Sequence, residues 1–256
     1  MVGLLAAFKS EVSGVLADFK TKKLTRHGEL PFYRGVFVSG EDVVLGITGC
    51  GCERAALSAS YLFQNYQPEI LVSLGTCGAL TGSLDTGNVV VPEAVQFLTM
   101  EGKDILPRES IDVDNALHQS LILARKHSGL LGAEGLLLTS DRLVKTVAEK
   151  KALMEIRNAT AVDMESIALA EKAGEQGVPF AAARVVLDRA WDDLVVDYES
   201  ILKDRLEPSA VDVAGYLMTH PNHLGSFYRD LRRFFRASRA IRLLVRTFME
   251  QRNLYA

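Results

Sequence analysis

Cysteine is scarce in this chain, and the few cysteines present do not form an even set. Three occur among the 256 residues: Cys50, Cys52 and Cys77. An odd, sparse set does not build a disulfide framework, and the spacing of these residues does not complete a zinc site. We therefore predict a reduced, cytoplasmic setting, with neither a bound metal nor another cofactor.

The chain also lacks a large excess of charge of one sign and a long apolar run. Its formal net charge is −3, which gives no global attraction to nucleic acid or to anionic membranes. No apolar stretch is long enough to span a bilayer. Val2–Ala7 is apolar but short and has no basic leader, so it indicates a buried first strand rather than a signal peptide.

The length of the chain and a change in amino-acid composition near residue 207 indicate that the protein has two parts. A chain of 256 residues suits one large α/β domain, or a domain of about 200 residues with an appendage. From Glu207 onward, prolines and histidines lead into a segment crowded with arginine. We therefore predict a main domain over residues 1–206 and a helical, basic, amphipathic extension over residues 207–256.

Short apolar runs alternate with helical periods along the main domain. The predicted strands are Val2–Ala7, Phe32–Val38, Val43–Thr48, Ile70–Leu74, Gly87–Val91, Leu136–Thr139 and Pro179–Leu187. The predicted helices cover residues 12–19, 53–65, 112–127, 142–151 and 165–176. Such alternation is typical of an α/β fold in which helices flank a central, mostly parallel sheet. The hairpin around residues 39–42 makes the sheet mixed, and ligands are expected beyond the carboxyl ends of its strands.

Two small polar clusters follow or open these elements. Gly75-Thr76-Cys77-Gly78-Ala79 follows a buried strand, and its small residues would let a ligand approach the backbone. Asp163-Met164-Glu165 opens a helix, where a carboxylate could accept hydrogen bonds from sugar hydroxyls. The alternatives are a tight structural turn for the first cluster and favourable partners of the helix dipole for the second.

Two further carboxyl groups stand near strand ends. Asp188 directly follows a buried strand, where desolvation would raise its pKa and suit it to general acid catalysis. Its ordinary alternative is a cap or turn residue. Glu11 lies just beyond the first strand and has the alternative of a solvated helix residue. Taken singly, each of these four patterns is explained at least as well by a structural role as by a functional one. Their occurrence together and in this order is the stronger indication of a functional site.

Together these motifs resemble the nucleoside phosphorylase superfamily, especially its methylthioadenosine/S-adenosylhomocysteine nucleosidase branch. The resemblance extends over residues 1–193 and implies a three-layer fold with a mixed, twisted sheet between helices. It is carried by Val2–Ala7 with Glu11, Gly49-x-Gly51, Gly75–Leu80, Gly87–Val91, Asp163-Met164-Glu165 and Asp188.

The resemblance implies a role for each matched position. Glu11 would activate the attacking water, and Asp188 would contact the purine and help to protonate its N7. Glu165 would bond the ribose hydroxyls, beside Met164. Asp163 would lie at the same sugar site, and Thr76, Cys77 and Gly78 would line the turn beneath the sugar. The resemblance implies a homodimer, with no cofactor.

Three positions depart from patterns within the superfamily. Asp163 replaces the glutamate of close nucleosidase relatives, and Leu187 replaces their usual serine. The expected substrate is a 5′-substituted adenosine that releases adenine, either similar to methylthioadenosine or S-adenosylhomocysteine, or adenosylhopane. Ser73 occupies a place where bacterial phosphorylases carry an arginine. Arg54 and Arg108 remain candidate phosphate ligands, but a carboxylate at Glu11 would repel phosphate. Hydrolysis is therefore favoured, with phosphorolysis and a catalytically silent nucleoside-binding protein as alternatives.

The segment 226–248 forms two halves when it is treated as a helix. One half carries Arg229, Arg232, Arg233, Arg236, Arg239, Arg242 and Arg246, and the other carries Phe234, Ala237, Ile241, Leu244, Val245 and Phe248. It resembles the C-terminal extension of hopanoid-associated members of the superfamily, which are implicated in removing adenine from adenosylhopane. Such a helix could lie peripherally on the inner face of a membrane, or pack on the domain or on a second subunit. A nucleic-acid partner is not expected.

Overall fold

The computed structural model describes residues 1–101, 104–202 and 206–255. Within these ranges twelve strands form one mixed sheet. In chain order the strands are β1 (Val2–Ala6), β2 (Phe19–His27), β3 (Leu30–Phe37), β4 (Asp42–Ile47), β5 (Ile70–Ala79), β6 (Val89–Val90), β7 (Ala94–Glu101), β8 (Asp104–Asp112), β9 (Gly132–Ala133), β10 (Leu136–Ser140), β11 (Ala161–Asp163) and β12 (Phe180–Asp188).

The described helices lie on both faces of this sheet. They are α1 (Ser13–Ala17), α2 (Cys52–Tyr66), α3 (Asn115–His127), α4 (Val147–Arg157), α5 (Ser166–Glu175), α6 (Tyr198–Leu202), α7 (Ala210–Thr219) and α8 (Leu224–Tyr255), with a short 3-10 turn at Pro221–His223. None of them combines the length and the apolar character that crossing a bilayer requires.

Strand β5 is the centre of the sheet. Its first half pairs in parallel with β1, its whole length follows β12 in parallel, and its last residues pair antiparallel with β11. The hairpin of β3 and β4 is antiparallel, as the sequence predicts. The predicted α/β fold with a mixed sheet between helices is therefore confirmed.

Helices on the two faces of the sheet bury separate cores, and side chains of β1 point alternately into two of them. Leu4 and Ala6 belong to the core beneath α1, α3 and α8, whereas Leu5 belongs to the core beneath α2 and α5. This alternation follows from the period of two in a strand, because successive side chains point to opposite faces. The result is a three-layer arrangement with β1 and β5 buried on both sides.

Several predicted boundaries are wrong. The predicted helix over residues 12–19 ends at Ala17, and Phe19 instead begins β2, an exposed lysine-bearing strand at the edge of the sheet. Lysine is a common protection of such edges against further pairing. The helix predicted over 142–151 begins later, at Val147, because Thr146 and Glu149 form a capping box there. The helix predicted from residue 112 begins at Asn115, after a side-chain cap by Asp114.

Helix α8 packs its apolar half on the main domain. Its buried side chains belong to the same core as Leu4 and Ala6, and they are Ala237, Ala240, Ile241, Leu244, Val245, Phe248 and Met249. Arg242 adds a salt bridge to Asp18, with an Nη2–Oδ1 distance of 2.6 Å. The sequence left open whether the apolar half of this helix lies on a membrane or packs on protein. In the structure it packs on the main domain. The division at residue 206 stays a prediction, and the buried side chains of α8 share one core with those of β1.

Truncation of the buried face of α8 should destabilise the whole fold. Ile241 is 1% exposed, so we expect Ile241→Ala to lower the free energy of unfolding by about 2–5 kcal/mol, the usual effect of a cavity in a core. Leu243 lies on the same helix but is 42% exposed, and Leu243→Ala should change the free energy by only about 0.5 kcal/mol. Urea unfolding measures both. Equally small effects would mean that α8 is not part of the core.

Candidate active site

The carboxyl ends of three strands bring the predicted site residues together. Glu11 lies in the connection after β1, Thr76 and Gly78 lie in the last part of β5, and Asp188 is the last residue of β12. In the parallel pairing of β5 with β12, Asp188 stands opposite Gly78. Glu165 approaches from the N-terminus of α5. The predicted site residues therefore lie at and beyond the carboxyl ends of these strands, where ligands of such sheets usually bind.

The predicted turn at residues 75–79 is wrong, because this segment continues β5. Its residues pair with β12 from Gly75 to Gly78 and with β11 at Gly78 and Ala79. The small side chains nevertheless have a steric role. A Cβ at Gly75 would lie 2.2 Å from Nη1 of Arg184, and a Cβ at Gly78 would lie 3.1 Å from Oδ2 of Asp188. The glycines therefore leave room for two charged side chains of β12.

The carboxylate of Glu11 is held from two sides. Its Oε1 accepts hydrogen bonds from the backbone N–H and the hydroxyl of Thr76, at 2.8 and 2.7 Å, and its Oε2 accepts one from the N–H of Phe8 at 3.1 Å. Burial raises the pKa of Glu11, although the bond from Thr76 and the charge of Arg184 act against this. The alternative of a solvated helix residue is wrong, because Glu11 is 2% exposed.

Arg184 is a functional candidate that the sequence analysis missed. It is 1% exposed, and its guanidinium donates to the carbonyl of Leu74, to the hydroxyl of Ser73 and to that of Ser166. Its Nη2 also lies 2.8 Å from Oδ2 of Asp163. The available signal was an arginine in the middle of an otherwise apolar strand, since charged side chains are rarely fully buried without partners.

Asp163 and Glu165 share the charge of Arg184. The Oδ1 of Asp163 accepts from the hydroxyl of Thr139 at 2.7 Å, so this carboxylate is engaged by protein groups on both oxygens. Glu165 lies 3.8 Å from Arg184 and accepts the N–H of Gly51 at 3.0 Å. Burial raises the pKa of Glu165 to about 7; Arg184 lowers it and Asp163 raises it. The carboxyl of Glu165 is thus the freer of the two.

Asp188 contacts a buried lysine, which the sequence analysis also missed. Lys150 of α4 is fully buried, and its ammonium donates to Oδ2 of Asp188 and to the carbonyls of Arg189 and Asp192. Burial raises the pKa of Asp188, and the charge of Lys150 opposes this rise. The two carbonyls hold Lys150 in place, so the lysine fixes one oxygen of the Asp188 carboxyl group.

Sulfur-bearing residues lie next to Glu165 and within β5. The Sγ of Cys50 lies 3.5 Å from Sδ of Met164, and the thiol of Cys52 donates to the carbonyl of Met164. Cys77 is buried in β5. Burial raises the pKa of all three thiols, which therefore stay protonated and are poor nucleophiles and metal ligands. Among the described residues, no three His, Cys, Asp or Glu side chains are grouped as a metal site would require.

Only one of the two candidate phosphate ligands, Arg54, has a described side chain. The side chain of Arg108 lies outside the described residues. Arg54 lies beside Gly49, since a Cβ there would be 3.0 Å from its Cδ. Ser73, which stands where phosphorylases carry an arginine, accepts a hydrogen bond from Arg184 at 2.8 Å.

The site brings together three buried carboxyl groups, and burial raises the pKa of each. Glu11 and Glu165 lie near the positive charge of Arg184, whereas Asp188 lies at the end of β12 with Lys150. A carboxyl that is kept neutral by burial can donate a proton, and an ionised one can accept a proton or bind hydroxyls. Such a set of carboxyl groups is suited to acid–base chemistry at the edge of an α/β sheet.

The chain belongs to the phosphorylase superfamily, whose family model matches residues 1–207. Among curated proteins it is similar to the 5′-methylthioadenosine/S-adenosylhomocysteine nucleosidase of Staphylococcus aureus. The two are 27% identical over 217 residues, which cover 79% of this chain and 92% of the relative.

Solved structures of this fold extend the similarity to the C-terminus. The 5′-methylthioadenosine/S-adenosylhomocysteine nucleosidase of Neisseria meningitidis, in complex with methylthio-immucillin-A, aligns with a TM-score of 0.72 and 19% identity over 98% of both chains. The futalosine hydrolase of Helicobacter pylori aligns with a TM-score of 0.67 and 18% identity, over 85% of this chain and 97% of its own. The fold is therefore shared along nearly the whole chain.

The carboxyl group of Glu165 should titrate at a higher pH than that of an ordinary glutamate. Because burial favours its neutral form, we expect one carboxyl signal in a ¹³C NMR titration to change near pH 7, and to disappear in Glu165→Gln. Glu171→Gln, an exposed change on the same helix, should retain this signal. If every glutamate that titrates does so below about pH 5, as free glutamate does, the described environment of Glu165 is wrong.

Proposed function

We propose that this chain is a purine nucleosidase that hydrolyses the N-glycosidic bond of a 5′-substituted adenosine and releases adenine. The observation that carries the proposal is the placement of two buried carboxyl groups, Glu11 and Asp188, at the carboxyl ends of β1 and β12. The similar proteins of S. aureus and N. meningitidis are nucleosidases, and that of H. pylori is a hydrolase.

The charges of the reaction suit these carboxyl groups. Cleavage of an N-glycosidic bond builds positive charge on the sugar and negative charge on the departing base. Glycosidases meet the same demand with one carboxylate near the sugar and one acid near the leaving group. Here Glu11 would accept a proton from the attacking water, and Asp188 would donate one to N7 of the purine. Glu11 is prepared for this because Thr76 fixes its orientation.

The sugar would be held by the groups that surround Arg184. Glu165 would accept hydrogen bonds from ribose hydroxyls, with its other contact to the N–H of Gly51 keeping it in place. Met164, Thr76 and the backbone of Cys77 and Gly78 would line the sugar. Asp163 would act mainly through Arg184, since both of its oxygens are engaged within the protein. Arg184 is then a positioning residue that keeps positive charge beside the two glutamates.

Hydrolysis is preferred to phosphorolysis because of the charge around Glu11. Phosphate binding usually uses arginine side chains whose donors are free to form paired bonds with the anion. Arg184 has its donors engaged by Leu74, Ser73, Ser166 and Asp163. A carboxylate at Glu11 would repel a phosphate dianion but would activate water. A nucleoside-binding protein without catalytic activity would not require a buried acid such as Asp188.

We propose further that the 5′ substituent is large and apolar, with adenosylhopane as a candidate. Asp163 and Leu187 differ from the pattern of the small-substrate nucleosidases, and the hydroxyl of Ser238 on α8 donates to the carbonyl of Glu11 at 2.9 Å. Helix α8 therefore passes beside Glu11, and α7 precedes it in the chain. They expose several apolar side chains that could contact a lipid-linked substrate: Val211, Met218, Leu224, Tyr228, Leu231 and Phe235.

A peripheral contact with the inner membrane face would use these exposed side chains. The apolar half of residues 237–248 is buried in the core and is not free for a bilayer. The arginines of residues 226–248 would instead lie near anionic headgroups, with the exposed apolar groups of α7 and early α8 entering the interface. A homodimer is also proposed, on the resemblance to the nucleosidases.

The assigned roles predict large losses of turnover. We expect Asp188→Asn and Glu11→Gln each to lower the rate of adenine release by at least about a hundredfold, the usual effect of losing an acid or a base. Chromatography would follow base release from adenosine, methylthioadenosine, S-adenosylhomocysteine, inosine and an adenosyl-lipid analogue. Glu171→Gln is the matched control and should react at the normal rate. The assigned roles are wrong if either site variant also does so.

A further inference from the structure

A second cleft, lined mainly by arginine, lies beyond the Asp188 end of β12. It has a volume of about 390 Å³, which is within the range of roughly 300–1,000 Å³ typical of small-molecule sites. Its lining includes Thr86, Arg189 and four arginines of α8: Arg229, Arg232, Arg233 and Arg236. We call it the arginine cleft. Neither Glu11 nor Thr76 is among its lining residues.

The four arginines of α8 share one face because of their spacing. Positions 232, 233 and 236 follow position 229 by three, four and seven residues. Side chains at such spacings are neighbours on the surface of a helix. Like charges at such spacings repel one another and weaken a helix. The clustering is therefore unfavourable for α8 itself, and an anion bound between the guanidinium groups would relieve the repulsion.

The counter-charges in and around the arginine cleft are incomplete. Asp192 pairs with Arg189 and Arg233 at 2.9 and 2.8 Å, and Asp230 lies 3.6 Å from Arg233. Among the described residues, Arg232 and Arg236 form no salt bridge, and both are exposed. Five arginines stand against Asp85, Asp192 and Asp230, which leaves an excess of two positive charges.

Two details show that the main domain accommodates these side chains. Gly87 has φ of +90°, and a Cβ there would lie 2.8 Å from Nε of Arg236, so the glycine leaves space for this arginine. Nη1 of Arg233 is buried but makes no hydrogen bond. Some of these guanidinium groups are held by carboxylates, whereas Arg232 and Arg236 form no salt bridge among the described residues. Such a set fits the several oxygens of a phosphate group.

We propose that the arginine cleft binds a phosphate-bearing ligand, either a soluble phosphate compound or the headgroup of an anionic lipid. The site does not depend on the proposed nucleosidase activity, and a lipid headgroup bound there would give the proposed membrane contact a defined binding site. Because Arg189 follows Asp188 directly, and the hydroxyl of Thr86 donates to the carbonyl of Leu187 at 3.0 Å, a ligand here would contact the segment that carries the acid.

The test compares two double variants of α8 with equal loss of charge. Arg232→Gln/Arg236→Gln removes the exposed arginines of the cleft, and Arg239→Gln/Arg246→Gln removes two exposed arginines elsewhere on the helix. Calorimetry measures binding of inorganic pyrophosphate at constant ionic strength. Sedimentation measures binding to phosphatidylcholine vesicles with and without phosphatidic acid. Circular dichroism checks that all variants are folded, which the exposure of these positions favours.

We expect the cleft variant to bind at least about tenfold more weakly than the wild type, since it loses charge-assisted hydrogen bonds, while the control variant binds normally. This pattern with pyrophosphate supports a soluble ligand, and the same pattern with phosphatidic acid vesicles alone supports a lipid headgroup. Equal weakening in both variants would show only non-specific attraction and would overturn the proposal. So would the absence of binding by the wild type to both probes. Neither readout involves adenine release, so a failed nucleosidase assignment would remain distinguishable.

Discussion

The buried guanidinium of Arg184 is the interaction on which the arrangement of the site depends. It lies in the middle of β12, opposite Gly75 of β5, with partners from two strands and the start of a helix. A buried charge without partners is strongly unfavourable, so the surrounding acceptors and Asp163 are needed for the fold itself. Once in place, this charge allows Glu11 and Glu165 to be buried nearby. The same contacts therefore stabilise the sheet and prepare the site.

The C-terminal helix connects the core, the site and the surface. Its apolar half completes the core beneath β1, and Ser238 contacts the backbone at Glu11. Its arginine half forms one side of a cleft that ends beside Asp188. A helix fixed by burial on one side can hold charged side chains in a defined place on the other. A basic amphipathic helix can in this way share the core of the protein and still expose a row of arginines.

The sequence predicts the fold class and most of the site because these depend on local patterns and order. Apolar runs of strand length locate β4, β5, β10 and β12, and the carboxyl groups at strand ends meet as expected. Boundaries are less well predicted where a long-range pairing decides them. Residues 75–79 contain two glycines and look like a turn, but pairing with β12 and β11 keeps them extended.

The partners of the site residues could not be predicted in the same way. Lys150 lies in α4 and Asp188 in β12, and nothing local to either indicates their contact. Arg184 could have been singled out as a charge in an apolar strand, but its pairing with Asp163 depends on the packing of α5 against the sheet. Strands at the edge of the sheet are also hard to predict from the sequence. Strand β2 has no alternation of buried and exposed residues, and only its pairing with β3 defines it as a strand.

The central claim is that water, activated at Glu11, attacks the sugar. The most direct measurement is ³¹P NMR of a reaction in phosphate buffer, with the free sugar and adenine quantified in the same sample. Our account predicts free sugar in an amount equal to adenine, and no new phosphorus signal. Formation of a sugar 1-phosphate in step with adenine would contradict it, because phosphate would then be the nucleophile that occupies the place beside Glu11.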